Sequence, residues 1–429
     1  MEACSPVDDR VALSEAFSPH NEIQDPTKFA GRIPQLAKAV DALNNPGTVI
    51  VIHGARGIGK SSLARQVSLL DQGDTQLKAA HRLDDGTLDL HFQYQPFYVP
   101  CTNETPNTTA LLSKTRRLIA AEVDVVYKDS GKSTTTRGWS LFGRLFGVNS
   151  AKSTEMEDPA ISTFGAREDE MLTDILSRRR TRAKLPALII FDEVDVMRDM
   201  SGLAHFIKTI RSEIAQFILV GVAASAEQLV ADHQSIGHRL RPIEVPPMRP
   251  DEAREIFDIA AARLLSLQAN VAYSPETVGA IIDEAGGFPY TVQALGRDSG
   301  VECLKNGRVL VTREHLGQAL LFRSGSDSWL PFENSYRQAV GQSSQRAEVL
   351  DICAAENGSD VPINFIYTVA KERYRNTNPY QTINQLTADP LSSVLIRVPG
   401  ATAYIRFRDP LLKWYIRRRP DARAVARAD

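Results

Sequence analysis

The chain is poor in cysteine. It has four in 429 residues (Cys4, Cys101, Cys303 and Cys353), with no CxxC pair. That excludes a zinc ribbon and a disulfide-stapled scaffold and fits a reducing compartment, so a cytoplasmic location is expected. Long apolar runs are missing: none approaches the roughly 18–20 residues of a membrane-spanning helix. The opening stretch, MEACSPVDDRVALSEAF, lacks the basic-then-apolar order of a secretory leader. An excess of one charge is also absent. Lys and Arg number 50 against 52 Asp and Glu, a net charge of -2. This excludes a globally basic nucleic-acid coat and leaves room for a local basic patch. The eight histidines show no HExxH spacing and no GxSxG elbow occurs, so neither a metalloprotease nor a hydrolase serine is indicated.

What is present can build cores. The hydrophobic fraction is 43%, which argues against wholesale disorder. At about 100–200 residues per domain, the length suggests two to four domains. Residues 1–28, with Pro6, Pro19 and Pro26, read as an arm or linker. From 34 to 245 apolar runs alternate with helical patterns. The spacing predicts helices at 34–43, 60–70, 109–126 and up to 183. Strands are predicted at 48–53, 96–100, 185–191, 217–222 and 242–245. Unbroken runs such as VIVI and LIIF suggest strands buried on both faces, hence a parallel α/β sheet. The stretch 128–160, rich in Ser, Thr and Gly around GWSLFGRLFG, interrupts the pattern. It reads as an insertion, packed or disordered, or alternatively as an element that touches a partner or membrane.

After Pro250 the texture becomes helical, with helices predicted at 251–266, 275–285, 289–304 and 313–322. A polar stretch near 323–333 marks a boundary. Three further helices (345–355, 362–374, 379–388) precede a hairpin of strands 393–398 and 402–408. Three helices plus a hairpin is the pattern of a winged helix.

GARGIGKSS, covering Gly54, Ala55, Arg56, Gly57, Ile58, Gly59, Lys60, Ser61 and Ser62, matches GxxxxGK[ST] between a predicted strand and a predicted helix. Glycines let backbone N–H groups turn inward onto phosphate oxygens, and the helix aims its positive dipole end at the anion. Lys60 can reach β- and γ-phosphates, and the Ser61 hydroxyl can ligate Mg²⁺. The alternative is a glycine-rich turn with no ligand. Downstream, LIIFDEVD puts Asp192 and Glu193 at the end of a buried strand. A carboxylate pair there is costly without a cation. Asp192 can hold Mg²⁺ through water, and Glu193 can polarise an attacking water. The alternative is a solvated acidic pair.

Together these motifs resemble AAA+ ATPases, in the branch holding origin-recognition-complex ATPases and their STAND signalling relatives. Phe29-Ala-Gly-Arg32 resembles the FxGR element near the adenine. FILVGVAAS resembles the strand bearing the polar sensor residue, which makes Ser225 the candidate. SIGHRLRPIEVPPMRPDEAREIF resembles the arginine-bearing segment and first lid helix, with Arg239 or Arg241 the candidate for reaching a neighbour's nucleotide; either can equally be a surface arginine. Gly286-Gly-Phe-Pro289 resembles the GxP turn of STAND lids. AAA+ lids often carry an arginine sensor just after this turn, but Tyr290 stands there, which points to slow hydrolysis.

The resemblance implies a parallel-sheet P-loop NTPase base (29–249), a helical lid (250–325), a winged helix (333–419) and a basic tail (420–429). It also implies ATP and Mg²⁺ as cofactors and a homo-oligomer. Arg397, Arg406 and Arg408 on the hairpin can neutralise phosphates, and the amides of Gln381 and Asn384 can reach base edges. Double-stranded DNA is therefore one expected partner. The alternative is a winged helix docked on protein. The expected function is a slowly hydrolysing, nucleotide-controlled switch acting on DNA. The alternative is a STAND-like signalling or defence ATPase that oligomerises and engages a protein effector.

Overall fold

The computed structural model describes residues 8–81, 83, 88–123, 167–223, 226–229, 236–324, 330–356, 360–374, 378–388, 394–398 and 401–419. Ser225, the 128–160 insertion and the 420–429 tail lie outside these residues.

Five strands form one sheet: β1 (Val49–Gly54), β2 (Gln95–Pro100), β3 (Ala187–Asp192), β4 (Ala215–Val222) and β5 (Leu240–Glu244). Their order is β2-β3-β4-β1-β5, and every pairing is parallel. All residues of β1 and β3 are buried, as central strands covered on both faces require. The period of two sorts them. Val49, Val51, Ile189 and Phe191 pack on one face, and Ile50, Ile52, Leu188 and Ile190 on the other. In edge strand β5 only Ile243 is buried.

One face carries α2 (Ile33–Leu43) and α3 (Lys60–Asp71). A short helix, α4 (Gln76–Ala80), follows. The other face carries α5 (Thr108–Val123), α6 (Glu168–Ala183) and α7 (Leu203–Thr209). α5 and α6 flank the insertion and are joined by a buried ion pair. Arg116 Nε lies 2.9 Å from Glu168 Oε2 and Arg116 Nη2 lies 3.2 Å from Glu168 Oε1.

Beyond β5 come α8 (Pro250–Ser266), α9 (Pro275–Ala285), α10 (Pro289–Lys305) and α11 (Arg313–Ser324). The reading of 1–28 as an arm is corrected here. Asp9–Ala16 is a helix, α1, with Asp8 capping its start. Leu13 and Phe17 are buried in the core of the α8–α11 group. Phe17 sits edge-on to Phe257 and Tyr273, at 5.5 and 5.7 Å between ring centroids. The side-chain-free face of α10 receives them: a Cβ on Gly296 would lie 2.5 Å from the Phe17 ring.

The C-terminal unit comprises α12 (Leu330–Val340), α13 (Ser344–Ala355), β8 (Asp360–Pro362), α14 (Ile363–Tyr374), α15 (Pro379–Thr387), β9 (Leu395–Val398), β10 (Ala401–Phe407) and α16 (Pro410–Arg418). Between β5 and β8 lies a two-residue pair, β6 (Ala272–Tyr273) with β7 (Leu310–Val311). The hairpin is part of a three-stranded antiparallel sheet, β8-β10-β9. The strand β8 and the helix α12 are additions to the sequence reading. One buried apolar cluster includes residues of both the α8–α11 helices and this unit.

Candidate functional site

The loop Gly54–Gly59 leaves the C-terminal end of β1 and enters α3. Gly57 and Gly59 have φ of 72° and 95°, left-handed values that glycine adopts without strain. At Gly54 a Cβ would lie 2.7 Å from the Val245 carbonyl oxygen. Gly59 caps α3 and offers no side-chain acceptor, so the first-turn N–H groups are left facing the loop. Such a terminus is a ready anion seat. Ile58 turns its side chain into the core, which anchors the loop. Arg56 is exposed at its tip.

Lys60 is buried, and its Nζ donates to the Ala55 carbonyl at 2.8 Å. Burial lowers its pKa to about 8, against the opposing pull of Asp195, Asp192 and Glu193. A buried cation held by one loop carbonyl is poised for a stronger anionic partner. Ser61 and Ser62 are half-buried at the start of α3. The Ser62 hydroxyl is already engaged, accepting from Ile23 N at 3.0 Å.

Asp192 and Glu193 end β3, one strand away from β1 across β4. Asp192 is buried; its Oδ1 accepts from Glu193 N at 2.9 Å, and its Oδ2 accepts from the Tyr98 hydroxyl. Glu193 is exposed and holds a left-handed φ of 57°, which turns the chain sharply after the strand. Desolvation of its carboxylate beside the sheet end, then the charges of Asp192 and Asp195, raise its pKa. Asp195 Oδ1 accepts from Val222 N at 2.7 Å, tying this turn to the end of β4. Gly221 makes room for it: a Cβ there would lie 2.9 Å from that oxygen. Mg²⁺ is usually held by one or two carboxylates together with substrate phosphates and waters. The hard oxygens of Ser61 and Asp192, beside a buried lysine, fit that demand.

Arg32 also reaches the loop. It is buried, donates from Nη2 to the Ile58 carbonyl at 3.3 Å, and burial lowers its pKa to about 10. Its segment is clipped to lid helix α8. Arg32 N donates to Glu252 Oε1 at 3.0 Å and Gly31 N to Glu255 Oε2 at 2.7 Å. His81 Nδ1 lies 3.0 Å from Glu255 Oε1, and its Nε2 lies 2.9 Å from the Phe29 carbonyl. From the lid, Pro289 faces the loop: a Cβ on Gly59 would lie 3.8 Å from its ring. Gly287, at φ 83°, accepts from Met248 N at 2.8 Å and leaves no room for a side chain there.

Other predicted residues lie elsewhere. Arg239 and Arg241 stand at the start of β5, the sheet end opposite the loop. Arg239 donates from Nε to the Gly47 carbonyl at 2.5 Å, a contact within the chain. Arg241 is exposed. In the C-terminal unit Arg406 pairs with Asp360 at 2.8 Å, and Arg397 donates to Asn384 Oδ1 at 2.8 Å. Asn378 caps α15, accepting from Gln381 N at 3.2 Å, and its Nδ2 donates to Gln381 Oε1 at 3.1 Å. Arg408 is half-buried at the end of the hairpin. Tyr98, Glu22, His81, Glu255 and Asp195 escaped the sequence reading. Only Asp195 carried a signal, two residues past the acidic pair.

No protein-family model and no curated protein matches the chain. Solved structures do. The Aeropyrum pernix ORC2 protein, in its ADPNP-ADP complexes and in its ADP form, is 14% identical. The match covers 99% of this chain and 100% of that one, with a TM-score of 0.50. Cdc6p from Pyrobaculum aerophilum is also 14% identical, over 96% of this chain and 98% of that one, with a TM-score of 0.47. The chain therefore shares the fold of the Aeropyrum pernix ORC2 protein.

Proposed function

We propose that the chain binds ATP with Mg²⁺ between the sheet and the helical lid and hydrolyses it slowly, as a switch whose state governs contact with double-stranded DNA. The observation that carries this reading is the convergence at one sheet edge of the Gly57–Gly59 cradle, buried Lys60 and buried Asp192. Pro289 approaches the same loop from the lid. The ORC2 protein of like fold is described with ADPNP and ADP.

In this reading the loop N–H groups and Lys60 bind the phosphates, and Ser61 and Asp192 hold the metal. Glu193 accepts a proton from the attacking water. Mg²⁺, when bound, neutralises charge on the phosphates. Arg32 braces the loop from behind through Ile58. Tyr290 supplies no cation where AAA+ lids often place one, which suits a regulatory rate. A lid contacting the loop through Pro289 can make different contacts in different nucleotide states, as a switch requires.

The winged-helix reading of the C-terminal unit rests on its helix–strand–helix–helix–hairpin order. One observation favours the second reading, a STAND-like ATPase engaging a protein effector: Arg406 and Arg397 are engaged within the chain rather than presented alone. Oligomerisation belongs to both, with exposed Arg241 the better candidate for a neighbour's nucleotide.

Lys60→Ala tests the core of the proposal. It should keep the fold yet lose ATP–Mg²⁺ stabilisation in a thermal-shift titration. A variant stabilised as much as wild type removes Lys60 from the site. Sizing with ATP, ADP or no nucleotide, each with and without duplex DNA, separates the two outputs.

A further inference from the structure

The segment between α1 and the FAGR element spans from the core of the α8–α11 group to the side of the sheet where β3 ends in Asp192. Its lid end is fixed by Phe17, and Ser18 N donates to Gln293 Oε1 of α10 at 2.6 Å. His20 then lies edge-on to Tyr290, 5.9 Å between ring centroids. Its base end is fixed on α3. Ile23 N donates to Ser62 Oγ, and Gln66 Nε2 donates to the Ile23 carbonyl at 2.9 Å. Between these anchors Glu22 pairs with Arg65 at 2.8 Å, and the Arg65 guanidinium lies 3.3 Å from the Tyr98 ring centroid. Tyr98 sits on β2, next to β3. Its hydroxyl donates to Asp192 Oδ2 and lies 3.4 Å from Glu22 Oε2.

A phenol has one proton, so it serves one carboxylate at a time. Each Asp192 oxygen has two lone pairs. With one accepting from Glu193 N and the other from Tyr98, both oxygens keep a lone pair for a metal or its waters. The two donors thus orient the carboxylate without consuming it. Outer partners of this kind typically change metal affinity 10–100-fold when removed.

We propose that Tyr98 is a positioning residue: its hydroxyl sets Asp192 for the metal and, through Glu22, couples that carboxylate to the N-terminal segment rooted in the lid. Displacement of the lid pulls on residues 18–24, moves Glu22 relative to Tyr98, and so alters how firmly Asp192 is held. This rests on the reading of Asp192 as the carboxylate of the Mg²⁺ site.

The test is the Mg²⁺ dependence of ATP-induced thermal stabilisation of the full chain, with chelator as the zero point. Asp192→Asn is the control for the underlying reading; an unaltered Mg²⁺ dependence there overturns the site itself. With that control behaving as a lost ligand, Tyr98→Phe should raise the Mg²⁺ midpoint about tenfold. It should leave stabilisation by metal-free ATP unchanged, because ring and guanidinium contacts persist. A midpoint within about twofold of wild type overturns the role of Tyr98. Glu22→Gln should shift the midpoint less, and should add nothing in the Tyr98→Phe background. An undiminished Glu22→Gln effect in that background overturns the coupling. Should Tyr98→Phe not fold, Glu22→Gln alone decides: an unaltered midpoint overturns the proposal.

Discussion

At the scale of single residues, the helix that follows the glycine loop carries a group that burial has set against its charge. Asp71 ends α3, the helix that begins with Lys60. Its Oδ1 accepts from Tyr94 N at 2.9 Å, but its buried Oδ2 has no partner among the described residues. Burial pushes its pKa up to about 7. The folded chain therefore holds a proton that the unfolded chain releases near pH 4. Stability from this group is complete below that point and falls by up to about 1.4 kcal/mol per pH unit until pH 7. Asp71→Asn should flatten that fall and raise stability at pH 8, read from melts of both chains between pH 5 and 8. An equal slope in the variant refutes the assignment. Glu193 belongs to the same scale. If it accepts the proton of water, Glu193→Gln should retain ATP and slow turnover of labelled ATP by at least about tenfold. Unchanged turnover, in a wild type that hydrolyses ATP, sinks that role.

At the scale of elements, the notable piece is α1. It lies far from the lid in sequence yet supplies Leu13 and Phe17 to the lid's core. Gly296 and Gly300 of α10 give those two side chains their seat. A Cβ on Gly300 would lie 2.6 Å from Leu13. Phe17→Ala should thus cost about 3–5 kcal/mol, as removal of a buried aromatic side chain does. Urea unfolding measures it, and a cost near zero would make α1 an appendage. The clip of Gly31 and Arg32 on Glu252 and Glu255 is the second link between base and lid. A Cβ on Gly31 would lie 2.9 Å from Glu252, so this contact depends on glycine.

At the scale of the whole molecule, the question is whether the C-terminal unit meets DNA or protein. Phosphate contacts have a signature: log K falls by about 0.9 per neutralised phosphate with each decade of salt. Replacing Arg406 and Arg408 together by Ala should weaken duplex binding across all sequences and flatten that slope. Fluorescence anisotropy at two or more salt concentrations reads it. Absence of salt-dependent binding by wild type in every nucleotide state would transfer the reading to a protein effector. Among the described residues no helix is long and apolar enough to cross a membrane.

The chain's local chemistry declared the glycine loop between β1 and α3, the acidic strand end and the doubly buried strands. Each is written in consecutive residues: glycines where φ must be positive, a lysine at a helix start, and β-branched runs where both strand faces are covered. The sequence also showed the helices that follow β5 and the final helices with their two strands, because period and caps are local signals. Tertiary structure alone decided what distant segments do to one another. The residues of α1 read as a polar arm because the apolar partners of Leu13 and Phe17 lie more than two hundred positions away. Tyr98 read as an ordinary strand residue because nothing local aims a hydroxyl at Asp192; the parallel register of β2 on β3 does. Arg239 and Arg406 read as candidates for phosphate or a neighbour, and only the fold brings them to the Gly47 carbonyl and Asp360. A charge's partner is a property of the fold, so charged residues were the least legible part of the sequence.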